Sequence, residues 1–359
     1  MEKVFIWGTG FISQQIFQDY DVFSQCDVLG FIDNDIKKIG TTFQGKEIFE
    51  PAILHSIFPD KIVVLTDCYN EIKSQILKEF PVMPDIVENK NYFYKHCIMK
   101  RYRDSHDSEI KQILKYLEKN DLQVFNYDYV KKYEQFDIDI LFDDYCGMYF
   151  TYHNSKKLYF ARFLDTEQKV KEYYKSLLIE QDKESPHRYL DFDFNINEGD
   201  VVVDIGVAEG IFSLDIIEKV SRLYLIEINE EWIEAIQQTF KDYLDKIIII
   251  KKFVTSIDEG MFATLDELID APVDFIKMDI EGNEWDALLG AEKLITQSPN
   301  MRCAICAYHG DFDEVLIRNA LDKYKIKSST TPGYMWFPLK IRQTYVSTRL
   351  VRGIVRGRK

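Results

Sequence analysis

Asp200-Val201-Val202-Val203-Asp204-Ile205-Gly206-Val207-Ala208-Glu209-Gly210 is the stretch whose reading decides the fold. Its β-branched run has the character of a strand buried on both faces. The strand ends in Asp204 and passes into a turn carrying Gly206 and Gly210. A helix then runs from Ile211-Phe212-Ser213-Leu214 to Lys219, and a second strand, Arg222 to Ile226, ends in Glu227, 23 residues after Asp204. Strand, glycine turn, helix and strand make the repeating unit of a doubly wound α/β sheet.

The pattern continues downstream. Lys246 to Ile250 reads as a third strand. Thr264 is placed to cap a helix over 263–268. Val273 to Gly282 holds a fourth strand and its exit turn, Glu284 to Leu294 a helix, and Met301 to Ala307 a fifth strand ending at Tyr308-His309. Ligands of open α/β sheets bind outside the carboxyl ends of the strands. Asp204, Glu227, Asp279, Glu281, Tyr308 and His309 are therefore expected along one rim.

Charge narrows the ligand. A pyrophosphate seeks helix N-terminal amides without a carboxylate nearby, and Asp204 beside the turn would repel it. A methionine moiety carries an ammonium that this carboxylate would hold. Glu227 is placed to accept hydrogen bonds from ribose hydroxyls. Gly206 and Gly210 would let the backbone approach the ligand without a Cβ. The alternative is an ordinary parallel-sheet turn with surface acids.

Several blocks carry a family resemblance: Val203-Asp204-Ile205-Gly206 with Gly210, Ala263-Thr264-Leu265-Asp266, Ile276-Lys277-Met278-Asp279-Ile280-Glu281-Gly282-Asn283-Glu284, and Leu289-Gly290-Ala291. Together they resemble the FkbM family of methyltransferases, over roughly Tyr149 to Trp336. The segment Glu180-Gln181-Asp182 with Ser185-Pro186-His187-Arg188-Tyr189 is similar to one preceding the glycine turn in some members. The chain departs at Val207-Ala208-Glu209, where many members have a small residue and asparagine. The resemblance implies a class I methyltransferase fold with S-adenosylmethionine as cofactor. It also implies O-methylation of a hydroxyl, often on a sugar of a glycan or natural product.

The expected cofactor-binding residues are Asp204, Gly206, Gly210, Glu227 and Glu209, the last pairing with the cofactor's positive charge or pointing to solvent. Methyl transfer to oxygen needs alignment, exclusion of water and a group to take the hydroxyl proton. His309 is the first candidate for that group by residue type and position, and Asp279 is the alternative. Each also has a structural reading, as a satisfied strand-end histidine and as a helix cap. His187, Glu281 and Tyr308 are the expected substrate contacts. A Mg²⁺ held by Asp279, Glu281, His309 and Asp311 stays open but is not favoured, and no metal site is assigned.

The first hundred residues repeat the α/β theme. Lys3 to Trp7 is a strand, Gly8-Thr9-Gly10 a turn, Phe11 to Tyr20 a helix, Val28 to Ile32 a strand ending in Asp33-Asn34-Asp35, and Lys61 to Leu65 another strand. Ser13 stands where a dinucleotide fingerprint has its third glycine, and an acid about 20 positions on would hold a ribose hydroxyl. The segment resembles the small Rossmann-like N-terminal domains of bacterial enzymes that modify surface sugars. That implies a nucleotide or nucleotide-sugar ligand, or a docking module. The expected organisation is two doubly wound Rossmann-like domains joined by a helical, aromatic connector. The boundaries are 1–98, 99–148 with an amphipathic helix over Asp107 to Asn120, 149–345, and a basic tail over 346–359.

Bulk properties limit the partners. The chain has 359 residues and a formal net charge of −15, which argues against nucleic acid. Lys340, Arg342, Arg349, Arg352, Arg356, Arg358 and Lys359 gather at the end. There they would offer a peripheral membrane surface or a glycan-assembly partner a basic face, or form a solvated terminus. A homo-oligomer stays open. The six cysteines are scattered, and Cys303 and Cys306 fall on opposite faces of one strand, which excludes convergence on zinc. Without a signal-peptide pattern or an apolar run near 20 residues, a cytoplasmic location is expected. Two competing readings are an NAD-dependent sugar-nucleotide enzyme and a non-catalytic module of a glycan assembly complex.

Overall fold

The computed structural model describes residues 1–310, 312–338, 340–341 and 345–359. Contacts divide the chain into two units, Met1–Asn126 with Pro338–Leu350, and Tyr127–Phe337 with Val351–Lys359. The expected connector is thus no separate body, since 99–126 pack with the first unit and 127–148 with the second. Among the described residues no helix is long and apolar enough to cross a membrane.

The first unit contains β1 (Lys3–Trp7), α1 (Phe11–Asp19), β2 (Asp27–Ile32), β3 (Thr42–Phe43), β4 (Lys46–Phe49), β5 (Lys61–Val64), α2 (Tyr69–Glu79), β6 (Val87–Glu88), α3 (Asn91–Tyr102) and α4 (Ser108–Leu117). Its sheet runs β3-β4-β2-β1-β5-β6, and every pair except β3–β4 is parallel. Phe5, Trp7, Ile32, Leu54, Ile62 and Val64 fill one side. Asp107 caps α4 by accepting from the amides of Glu109 and Ile110, and Ile110, Ile113 and Leu117 turn inward as their spacing predicts.

Two features of this unit change the expected ribose contact. Ser13 Oγ donates to the Gly8 carbonyl at 2.6 Å, so the serine ties α1 to the turn. Asp33 is buried, and its Oδ2 already accepts from Thr9 N, Thr9 Oγ1 and Lys38 Nζ while Oδ1 accepts from Asp35 N. The carboxylate expected to hold a ribose therefore braces its own loop.

The second unit begins with β7 (Leu141–Asp143), β8 (Met148–His153) and β9 (Lys156–Tyr159), an antiparallel meander rather than part of a helical bridge. Asn154 and Ser155 both have positive φ, the turn geometry that matches hairpin twist. There follow α5 (Glu167–Glu180), β10 (Val201–Ile205), α6 (Ile211–Ile216), β11 (Arg222–Ile226), α7 (Glu230–Thr239), β12 (Ile247–Ile250), β13 (Phe253–Val254) and β14 (Phe262–Ala263). Next come α8 (Leu265–Leu268), β15 (Phe275–Met278), α9 (Glu284–Leu289), α10 (Glu292–Gln297), β16 (Arg302–Cys306), α11 (Asp313–Lys323) and β17 (Lys327–Thr330). The pair β18 (Lys340–Ile341) and β19 (Tyr345–Val346) belongs to the first unit, and β20 (Ile354–Arg358) returns to the second.

The main sheet runs β12-β11-β10-β15-β16-β20-β17. The first five strands are parallel, and β20 is antiparallel to both its neighbours. The strand order reverses at β10, so the crevice between the exits of β10 and β15 is the switch point where such sheets take ligands.

The supposed basic tail is largely this inserted strand. Arg356 lies half-buried against Phe194 and donates to the Arg188 carbonyl at 2.7 Å, while Arg352 donates to the Gly333 carbonyl. These cations are structural donors, because the buried apolar pair Ile354 and Val355 draws the segment into the sheet. Arg342 lies outside the described residues. The helix expected over Glu284 to Leu294 is broken at Gly290, where a Cβ would sit 2.4 Å from the Thr255 carbonyl oxygen. Asp266 then caps α10 through the amides of Lys293 and Leu294.

Candidate active site at the strand exits

The site is built around a lysine inside a buried strand. Lys277 on β15 reaches across to β10, with Nζ 3.0 Å from Asp204 Oδ1 and donating to the Gly206 carbonyl at 2.6 Å. Asp204 has no exposed surface, and its Oδ2 accepts from Ser213 Oγ at 2.7 Å. Burial pushes its carboxyl up, opposed by Lys277 and Ser213. Burial alone would lower the Lys277 ammonium, but Asp204 and Asp279 hold it above its ordinary range. Asp204 therefore engages its charge with Lys277.

The glycines serve the scaffold as well. Gly206 has φ +73°, and a Cβ there would lie 1.8 Å from the Asp279 carbonyl oxygen. A Cβ on Gly210 would meet the Phe240 ring at 2.9 Å. Their missing side chains make room for neighbouring protein atoms. Glu227, at the end of β11, is largely buried. It accepts from Ala208 N through Oε2 at 3.0 Å, and from Ile228 N and Asn229 N through Oε1. It holds the glycine loop against β11 and keeps acceptor capacity on Oε2.

Above this floor lie three carboxylates. Glu209 is buried and accepts from Tyr173 Oη at 2.7 Å and from Ile211 N. It does not point to solvent, and burial raises its carboxyl. Asp279 is partly buried and accepts from Tyr189 Oη at 2.8 Å and Tyr308 Oη at 3.3 Å. Burial would raise it, but Lys277, His187 and His309 together hold it below the ordinary range. Glu180 ends α5, two helical turns after Tyr173 and so on the same face. Burial, with Asp279 and Glu209 nearby, pushes it up to about 8 against the opposing charge of Lys277.

His309 lies between two acids. Its Nδ1 is 3.0 Å from Glu284 Oε1 and its Nε2 is 3.5 Å from Asp279 Oδ1. Glu284 is 1% exposed and also accepts from Ile280 N. Burial lowers the imidazole, but Glu284, Asp279 and Asp313 outweigh it and hold His309 above 6.5. Asp279, Glu284 and His309 each bring a donor atom within 4.8 Å of the others, yet the imidazole already engages both carboxylates. Of the residues weighed for Mg²⁺, Glu281 is exposed at φ +54° outside this cluster, and Asp311 lies outside the described residues.

The other expected residues separate. Tyr308 joins the site through Asp279. His187 is 2% exposed behind Tyr189 and Tyr308, with ring centroids 5.3 and 5.0 Å away, and burial lowers it to about 4. It packs against both tyrosines, and Glu281 is exposed. Sequence reasoning missed Lys277, Tyr189, Tyr173, Glu180 and Glu284. A charged residue inside an otherwise apolar strand was the available signal for Lys277.

The donor set fits a cationic ligand. Glu209 and Asp279 stand at these strand exits, and the charge of the neighbouring Lys277 is already engaged by Asp204. Residues 146–324 match the methyltransferase FkbM domain, and residues 1–87 match the C2185-like N-terminal domain. A solved methyltransferase FkbM from Methylobacillus flagellatus KT is similar over 99% of this chain and 90% of its own, at 18% identity and a TM-score of 0.44. Magnesium protoporphyrin IX methyltransferase from Synechocystis PCC 6803, solved with bound SAM, is similar over 53% of this chain and 83% of its own, at 16% identity and a TM-score of 0.35. Precorrin-6y C5,15-methyltransferase from Geobacter metallireducens GS-15 is similar over 46% and 84%, at 13% identity and a TM-score of 0.33. No curated protein matches the chain.

Proposed function

Since residues 146–324 are a domain of the FkbM methyltransferase family, we propose that this protein is an S-adenosylmethionine-dependent O-methyltransferase acting on a sugar hydroxyl of a surface glycan or its nucleotide-linked precursor. The observation that carries the reading is the excess of carboxylates at the switch point, where Lys277 is already paired. S-adenosylmethionine supplies a methyl group on a sulfonium. Glu227 holds the ribose hydroxyls through its remaining acceptor capacity, and Glu209 and Asp279 face the positive charge. Tyr189, Tyr308 and Phe212 wall the crevice with rings and limit water.

The acceptor proton needs a destination. His309 can take it when neutral, and Glu284 on Nδ1 orients Nε2 toward Asp279 and the crevice. Support for a sugar acceptor comes from the resemblance and from the exposed rings of Trp285 and Phe312, which adjoin Glu284 and follow His309 in sequence. Such rings offer an apolar face with a polar edge to a pyranose.

Calorimetric titration with S-adenosylmethionine, with NAD as control, tests the reading. Micromolar binding of the first and none of the second is expected, followed by methyl transfer to a sugar-nucleotide panel that falls at least about 100-fold in His309→Ala. Binding of NAD alone would sink it.

A further inference from the structure

His187, Asp279 and Cys306 bring an imidazole, a carboxylate and a thiol to one point from three parts of the chain. Asp279 directly follows β15, and Cys306 ends β16. The pairing of Met278 with Ile305 makes them neighbours across the two strands, on one face of the sheet. His187 arrives over that face from the segment before β10. Its backbone is pressed against Gly353, where a Cβ would lie 3.1 Å from His187 Cα and 2.3 Å from the Pro186 carbonyl oxygen. Its amide donates to Ser185 Oγ at 3.1 Å. The imidazole is thereby held with Nε2 3.7 Å from Cys306 Sγ. Both side chains are buried, at 2% and 0% exposure.

The donor atoms of the three residues all lie within 4.8 Å of one another. A four-coordinate zinc ion, with Zn–S of about 2.3 Å and Zn–N and Zn–O of about 2.0 Å, needs its donors about 3.3–3.6 Å apart. The Nε2–Sγ separation of 3.7 Å is close to that. As a hydrogen bond the same contact is weak, since a thiol is a poor donor and a poor acceptor. Nitrogen, sulfur and a single carboxylate suit a borderline-soft ion, whereas Mg²⁺ and Ca²⁺ take oxygen. Burial keeps His187 neutral, the form that ligates. Tyr189 Oη donates to Asp279 Oδ2 at 2.8 Å and stands 3.7 Å from Sγ, which orients the carboxylate from outside the donor set. Cys303 takes no part, because its Sγ meets Gly357 on the other face of β16. The neighbouring trio of Asp279, Glu284 and His309 lacks sulfur and is already closed by ion pairing.

We propose that His187 Nε2, Cys306 Sγ and one oxygen of Asp279 form a binding site for a single zinc-like divalent ion at the exits of β15 and β16. The thiol proton leaves to solvent as the metal–sulfur bond forms. Three protein ligands leave the fourth position to water or another small oxygen ligand. The site does not depend on the cofactor assigned above.

The test is titration of the full chain with zinc and with cobalt after treatment with a chelator. About one Zn²⁺ per chain should bind at micromolar concentration or below, read by competition with a chromogenic chelator. Co²⁺ in its place should give near-ultraviolet charge-transfer absorption from a thiolate, together with the visible bands of a four-coordinate ion. Cys306→Ser should remove the near-ultraviolet band and weaken zinc binding by more than about 100-fold, beyond the loss caused by an outer-shell partner. His187→Gln should weaken it comparably. Cys68→Ser, which changes an exposed thiol, should leave band and affinity as they were. The absorption of the unsubstituted protein needs no variant to fold. Failure of zinc to bind, binding without a thiolate band, or a band that survives in Cys306→Ser overturns the proposal. Each of these outcomes leaves the calorimetric binding of S-adenosylmethionine, and the reading it tests, untouched.

Discussion

Lys277 and Asp204 show at the residue scale how a charge can be necessary to a site without touching a ligand. The pair is 3.0 Å apart with side chains almost fully buried. Removing one member of such a pair leaves the other as an uncompensated buried charge. Lys277→Met should therefore cost about 3–5 kcal/mol of unfolding free energy. The double variant Lys277→Met with Asp204→Asn should recover part of that loss, because no formal charge remains to be solvated. Denaturant unfolding of the three variants checks this; equal loss in the single and double variants would mean that the pair is not the source. Gly206 tells the same story in steric form: the contact it permits is with the Asp279 carbonyl, so the turn fixes where Asp279 stands.

At the scale of elements, β20 is the part least like its reading in the sequence. Gly357 lies where a Cβ would come 2.6 Å from Cys303 Sγ and 2.8 Å from Ile326 Cγ2. Gly357→Ala should cost about 1–3 kcal/mol through overpacking between β16 and β17. Adding Cys303→Ala should return much of it, a coupling that unfolding curves of the double cycle would show. The strand was hidden because its arginines suggested a solvated end, while their partners, Asp191, Arg188 and Phe194, lie more than 150 residues upstream. The parallel strands β10, β11, β15 and β16 were legible because each is a largely apolar run, followed by Gly206, Glu227, Asp279 and Ala307-Tyr308 respectively. The rim was legible for the same reason, since a residue ending such a strand must face the crevice. The roles were not, because Glu227, Asp204 and Asp33 all satisfy backbone amides or local cations, and which of several donors reaches a carboxylate is a tertiary fact. The meander β7–β8–β9 was missed through its turns, where Asn154-Ser155 supplies the positive φ that glycine usually marks.

For the whole molecule, the titrating groups of the site set how stability answers to pH. His187 is held near 4 by burial, so the unfolded chain binds the extra proton and stability falls as pH drops from about 6.5 toward 4. His309 is raised by Glu284 and Asp279, so its contribution is complete below 6.5 and is lost as pH climbs through its folded value. Glu180, raised to about 8, likewise keeps a proton in the fold that the unfolded chain has lost above about 4.5, and stability falls as pH rises toward 8. On the alkaline side the two effects have one sign, and on the acid side His187 opposes Glu180. The free protein should therefore lose on the order of 1–2 kcal/mol between pH 6.5 and 8.5 through these groups. Unfolding free energies of Glu180→Gln measured across this range should show a shallower alkaline slope than those of the unsubstituted protein, with the residual decline assigned to His309. A slope unchanged by that substitution would move the proton to Glu209, which is the more buried of the two and whose carboxyl burial also raises.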